Sequence, residues 1–183
     1  EEGLFMNQAP TNIVIKHAPK EMVVANARFK SSYFWKHVTI PTLLKKIVSI
    51  RRGTLPKYRK SLGSQQYFWN EIKKTVPTNS EEYDVVISFM GGFCNYYAID
   101  KVNAKKKILW FHNDYNKVAC SPSFDEPYFS VADYVATMSQ GCVDALVDNF
   151  PHLKDKFIVV ENISPASLIV RKSKEPSDDF SIK

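Results

Sequence analysis

What this chain lacks narrows its reading first. No uninterrupted apolar run reaches the roughly 18 residues that a membrane-spanning helix requires. The opening Glu1-Glu2-Gly3 has no basic-then-apolar leader pattern, and with its first methionine at Met6 the sequence reads as part of a longer protein. Cysteine is scarce and odd in number: Cys94, Cys120 and Cys142 are widely spaced, and none forms a Cys-x-x-Cys pair. His152 lies ten residues beyond Cys142, so no zinc site is expected, and reduced thiols of a cytosolic protein are. Glycine is limited to six positions, and no Gly-x-Gly element precedes Asn12. Repeats and low-complexity tracts are absent.

What is present is an ordinary globular composition, 44% hydrophobic over 183 residues, enough for one domain with a core. Its second half alternates apolar runs with polar, helix-starting residues. The runs are Tyr83 to Phe89, Lys107 to His112, Tyr134 to Ser139 and Phe157 to Asn162. Near-continuous β-branched and aromatic runs of this kind predict strands of a parallel sheet buried on both faces by helices. Helices are expected at Phe93 to Lys101, just beyond Gly91-Gly92, and at Gln140 to Asn149, where Ser139 serves as N-cap.

Earlier in the chain, Asn12 to Lys16 is a short strand candidate. Ile40 to Ile50 has helical apolar spacing, with Thr39 or Thr42 as cap, Pro41 in the first turn, and Gly53 and Pro56 as stops. Gln65 to Val76 reads as a further helix, closed by Pro77-Thr78-Asn79-Ser80, and Pro151 to Lys156 as a short turn. Residues 1–165 thus form the expected domain, and 166–183 the start of a linker or a polar tail.

In parallel α/β sheets, ligands bind beyond the carboxyl ends of the strands. Those ends carry Met90-Gly91-Gly92, His112-Asn113-Asp114, Ser139 and Asn162. Glycines after a strand allow close approach of backbone N–H groups to an anion or hydroxyl. A histidine there can donate to a hydroxyl or a phosphate, and Asp114 can orient it or accept a hydroxyl proton. A plain tight turn accounts equally for Gly91 and Gly92, and a capping role for Asp114 and Ser139. Phe93, Asn95 and Tyr96 are candidates to line a pocket, Phe93 and Tyr96 equally as helix-packing residues.

In this order, "YDVVISFMGG", "KKILWFHND" and "DYVATMSQGCVDALVDNFPHLKDKFIVVENISP" resemble the N-terminal half of a family 4 (group 1) glycosyltransferase. The resemblance covers the second half of the chain well and the residues before Tyr83 only loosely. It implies a three-layer, Rossmann-like α/β domain, the acceptor side of a two-domain GT-B enzyme. The first strand–helix unit and the whole donor-binding domain would lie outside this sequence. The implied activity is transfer of a hexose from a nucleotide sugar to a saccharide or lipid-linked saccharide, with retention and without an obligatory metal or other cofactor. His112 would then contact donor sugar or phosphate, with Asp114 beside it. Gly91, Gly92, Phe93, Asn95 and Ser139 would line the cleft, and Asn162 would sit where the chain leaves the domain. The family often carries Asp at the position of Ser164, so any contact made by that carboxylate is missing here.

Charge asymmetry is the other marked feature. Lys16 to Lys74 holds 14 Lys and Arg against Glu21 and Glu71, a net +12, while the remaining 11 basic and 17 acidic residues give −6. Interleaved with Phe29, Tyr33, Phe34, Trp35, Tyr58, Tyr67, Phe68 and Trp69, these charges suit an anionic membrane surface. The same charges attract nucleic acid, but no nucleic-acid-binding motif is visible, so the expected partner is the membrane. The expected location is cytoplasmic, peripheral on the inner face. The rival reading is a non-catalytic Rossmann-like module that docks on anionic membrane or nucleic acid through the basic segment.

Overall fold

The structure, a computed structural model, describes residues 9–54, 63–163 and 166–175. The elements run α1 (Lys20–Asn26), α2 (Ser32–His37), α3 (Ile40–Thr54), α4 (Ser64–Ile72), β1 (Glu82–Ser88), α5 (Phe93–Lys101), β2 (Asn103–Trp110), α6 (Pro122–Val131), β3 (Tyr134–Thr137), α7 (Gln140–Asn149), β4 (Phe157–Val159) and α8 (Ala166–Ser173). The expected turn at Pro151–Lys156 is a 3-10 helix, and another spans Tyr115–Lys117.

The four strands form one sheet in the order β1-β2-β3-β4, every pair parallel. The fold is therefore α/β and Rossmann-like, as the alternating runs imply. Register aligns Leu109 with Val135 and Val135 with Phe157. These three buried side chains meet Ala98 of α5, Phe129 of α6 and Leu146 of α7 in the main core, which Phe150 and Leu153 extend. A second core, built from Phe68, Trp69, Ile72, Val76, Phe93, Tyr96 and Tyr128, fastens α4 to α5 and α6. Trp69 Nε1 donates to Asp100 Oδ2 at 2.8 Å, which satisfies the polar edge of a fully buried ring.

Polar contacts pin the sheet at its amino end. The Asp133 carboxylate accepts from Lys107 N at 2.8 Å and from Lys106 Nζ at 2.9 Å, fixing where β3 starts against β2. Lys107 Nζ turns inward and donates to the carbonyls of Ala98, Ile99 and Val102 at 3.2, 3.0 and 2.7 Å. It thereby satisfies acceptors that the end of α5 leaves free.

Two expectations are corrected. The strands are not buried on both faces. Ile87, Ile108 and Tyr134 lie in register on the face opposite the core, and Val85, Ile87 and Tyr134 are exposed. Consecutive strands are added in one direction only, and right-handed crossovers then place every connecting helix on the same side. The candidate strand at Asn12 to Lys16 is not a strand, and its Ile13, Val14 and Ile15 are exposed. A β-branched run gains little from extension unless a neighbouring strand takes up its backbone groups.

Boundaries moved modestly: α4 ends at Ile72 rather than Val76, and α3 runs on from Ile50 to Thr54. Thr39 Oγ1 accepts from Thr42 N at 3.4 Å, as a cap should. Gly53, expected to end α3, lies within it, and the Pro56 stop falls outside the described residues. α1, α2 and α6 have no counterpart among the expected elements, and α8 lies within the segment expected to be linker or tail.

Candidate functional site

The carboxyl ends of β1 and β2 open onto a cavity of about 500 Å³. One side is formed by Phe89, Met90, Gly91 and Gly92 after β1 and by Phe111, His112 and Asn113 after β2. The opposite side comes from the start of α4, with Gly63, Gln65 and Gln66, and from Val118, Ala119 and Cys120. Tyr96 of α5 lies between them.

The glycine turn is held by geometry that other residues do not tolerate. Gly92 has φ +65° and ψ −123°, a conformation open essentially to glycine alone. A Cβ there would lie 1.7 Å from Gln65 Oε1, so the Gln65 side chain closes directly over this turn. Gly92 is the N-cap of α5 and has no side chain to cap it. Across the cavity, a Cβ on Gly63 would lie 2.2 Å from the Ala119 carbonyl oxygen, so two backbones approach closely there as well.

Gln66, 1% exposed, locks that second approach. Its Oε1 accepts from Gly63 N and Ser121 N, both at 2.8 Å, and its Nε2 donates to Ser121 O at 3.1 Å. Asn95 does the same work on the strand side. Its Oδ1 accepts from Ser88 Oγ at 2.6 Å, and its Nδ2 donates to Trp110 O at 3.1 Å, which fixes the ends of β1 and β2 relative to α5.

Beneath Tyr96 lies a buried carboxylate. Asp125 accepts from Tyr96 OH at 2.7 Å through Oδ1 and from Tyr115 OH at 2.8 Å through Oδ2. Burial pushes the Asp125 pKa up, opposed by hydrogen bonds from Gln66, Tyr96 and Tyr115. The Tyr96 and Tyr115 phenols are raised by burial and by the neighbouring Asp125 charge, so both remain protonated donors. Burial, followed by the Asp125 charge, pushes the Cys120 thiol up to about 12. Thiolate is the nucleophilic form, so Cys120 is a poor nucleophile at neutral pH.

His112 lies at the cavity but is already engaged. Its Nε2 is 2.6 Å from the Phe89 carbonyl oxygen, and its Nδ1 is 3.3 Å from Met138 Sδ. A carbonyl only accepts, so the hydrogen-bond network assigns a proton to Nε2. The ring stacks near-parallel to Trp110 at 6.1 Å and meets Phe89 edge-on at 5.0 Å. Trp110 Nε1 is buried beside this aromatic group with no hydrogen-bond partner among the described residues.

The structure thus brings Gly91, Gly92, Tyr96 and His112 together at one cavity and leaves five other sequence candidates elsewhere. Phe93 is buried in the second core, edge-on to Phe68 at 5.7 Å. Asn95 positions the strand ends. Asp114 caps the 3-10 turn by accepting from Asn116 N at 3.0 Å, and pairs with Lys117 at 3.0 Å. The Lys117 ammonium holds the Asp114 carboxyl below its usual range. Ser139 caps α7, accepting from Cys142 N at 3.4 Å, and Asn162 Nδ2 is 3.1 Å from Met138 Sδ. None of these five lines the cavity. Gln65, Gln66 and the 118–120 stretch were not foreseen as cavity residues. No local pattern marks them, because tertiary packing alone brings them there.

Comparison with known proteins finds no matching family model, no matching curated protein and no matching solved structure.

Proposed function

We propose that the cavity binds a hydroxyl-rich ligand, and that this domain is the acceptor-side half of a retaining glycosyltransferase. The observation that carries the reading is the meeting of Gly91, Gly92, His112 and Asn113 at a cavity beyond the carboxyl ends of two parallel strands. The ordered resemblance of three sequence stretches to that enzyme family supports it independently. A cavity of this size suits a saccharide unit, with aromatic walls at Phe111 and Tyr96 and amides at Gln65 and Asn113 to meet hydroxyls.

In this reading the reaction moves a hexose from a nucleotide sugar to a saccharide or lipid-linked saccharide. His112 contributes by exchanging the Phe89 carbonyl for a sugar or phosphate oxygen, the Nε2 proton passing from one hydrogen bond to the other. Gly91 and Gly92 keep the floor low enough for close approach of the ligand to the start of α5. Asp125 acts at one remove, holding Tyr96 in place. Donor contacts come mainly from a second domain outside this sequence.

The test is release of free nucleotide from UDP-, GDP- and ADP-sugars by the intact protein supplied with saccharide acceptors. Turnover with one donor, reduced about a hundredfold or more in His112→Ala, supports the reading. A folded intact protein that neither turns over nor binds any of these donors overturns it.

A further inference from the structure

An amphipathic helix on a globular protein ordinarily turns its apolar stripe inward. α3 does the reverse. Ile40, Leu44, Ile47 and Val48 share one side of the helix at i, i+4, i+7 and i+8, and are 75%, 57%, 39% and 39% exposed. The inward side is polar: Lys46 and Ser49 are 7% and 3% exposed. Lys46 Nζ donates to the carbonyls of Val24, at 3.1 Å, and Ala27, and lies 4.8 Å from the centre of the Phe34 ring and 5.3 Å from that of Phe29. Lys45 Nζ donates to Glu71 O at 2.9 Å, and Ser49 Oγ to Lys45 O at 2.7 Å. Side-chain hydrogen bonds therefore fix the rotation of α3, and its apolar stripe is directed outward by construction.

The surroundings say what the stripe meets. Trp35, on the helix just before α3, is 59% exposed, with its Nε1 donating to Phe29 O at 2.6 Å. Residues 9–54 contain nine Lys and Arg and a single acidic residue, Glu21. Lys20, Arg28, Lys30, Lys36 and Arg51 are all exposed. An outward apolar stripe, an exposed tryptophan five residues before it in the chain and a net charge of +8 over this segment match an anionic lipid surface. Two copies of the same basic face repel one another, which disfavours self-association through it. At 15 residues, α3 is about 22 Å long, short of the hydrocarbon thickness, and no helix among the described residues is long and apolar enough to cross a membrane.

We propose that the outward face of α3, together with the exposed Trp35 of the preceding helix, is a docking surface for an anionic lipid bilayer, the helix lying in the interfacial plane with Ile40, Leu44, Ile47 and Val48 turned into the acyl region. Surface charge brings the domain to the bilayer, and insertion of the apolar stripe holds it there. The proposal does not depend on the transferase reading: the cavity lies on other elements, and vesicle binding is measured without any turnover.

The test is co-sedimentation of the whole chain with vesicles of phosphatidylcholine containing about one third phosphatidylglycerol, against pure phosphatidylcholine. The wild type is expected to sediment with the anionic vesicles only, and to remain partly bound when salt rises to about 0.5 M. The double variant Leu44→Ser, Ile47→Ser is expected to bind about tenfold or more weakly while remaining folded, its urea midpoint lowered modestly because both side chains are only partly buried. Quenching of tryptophan fluorescence by brominated lipid gives a second readout, expected in the wild type and largely lost in Trp35→Phe. Three results overturn the proposal: no binding to anionic vesicles, binding equal in the double variant, or a lipid-free dimer that the double variant dissociates.

Discussion

Gln66 and Ser121, 55 residues apart, are joined through one side-chain amide, whose Oε1 accepts from Ser121 N–H at 2.8 Å while its Nε2 donates to Ser121 C=O at 3.1 Å. A side chain thus makes the paired contacts that a neighbouring strand would otherwise make. The same Oε1 takes Gly63 N–H, so one buried residue fixes the start of α4 against the segment leading into α6.

Gln66→Ala leaves two buried backbone N–H groups, those of Gly63 and Ser121, without this acceptor, while Ser121 C=O keeps the N–H groups of Phe124 and Asp125. Each such group costs about 1–3 kcal/mol, and partial access of water to the cavity wall offsets some of that. The expected loss is about 2–4 kcal/mol in urea unfolding. A loss below about 1 kcal/mol means that the α4 contact is not held by this amide.

Gly92→Ala combines a forbidden backbone region with a steric conflict. The positive φ alone costs about 1–3 kcal/mol. The added Cβ also displaces Gln65 Oε1, which lies 1.7 Å from where that Cβ would be. Adding Gln65→Ala is expected to recover the steric part and leave the backbone part. Thermal unfolding of the single and double variants separates the two, and full recovery contradicts the assigned φ.

Asp125 sets a pH dependence of definite sign. Burial raises its pKa in the folded state, so between the unfolded and folded values the folded protein binds more proton than the unfolded one. Its contribution therefore favours folding at low pH and weakens as pH rises from the ordinary carboxylate range through the raised folded value. Asp125→Asn removes this dependence. Comparison of urea midpoints from about pH 4 to pH 8 should show the wild type losing stability relative to the variant as pH rises. The opposite slope shows that the Tyr96 and Tyr115 hydrogen bonds outweigh desolvation.

Cys120 is expected to be slow toward alkylating reagents. With its pKa near 12, the thiolate fraction at about pH 8 is roughly a thousandfold below that of an ordinary exposed thiol. Peptide mapping after iodoacetamide treatment gives the relative rates. Fast labelling of Cys120 marks it as an activated thiol and contradicts the burial account.

The sheet was legible in the sequence because each strand carries a compact apolar run bounded by helix-starting residues, and Gly92 and Ser139 mark helix starts by local chemistry; the start of β2 at Asn103, four residues before the expected Lys107, was not, because Asn103 to Lys106 are mostly polar and join the sheet by pairing with β1. α6 was not, because Pro122 and Pro127 read as helix breakers. Pro122 in fact occupies the first turn, where a missing N–H costs nothing, and packing of Tyr128 and Phe129 carries the helix past Pro127. For α3, periodicity identifies the helix but not which side faces inward, and the side-chain hydrogen bonds of Lys45 and Lys46 decide that. Gly91, Gly92 and His112 were legible as cavity residues because strand ends are local features. Gln65 and Cys120 were not, since they reach the cavity only through the Gln66–Ser121 link.

The most direct test of the central claim is an NMR titration of ¹⁵N-labelled chain with simple hexoses and disaccharides. The account predicts saturable shifts of the Gly91, Gly92, Asn113 and Gln65 amides, accompanied by a shift of the His112 ring as it leaves the Phe89 carbonyl. Absence of any response at these positions across the panel, in a folded chain, contradicts it.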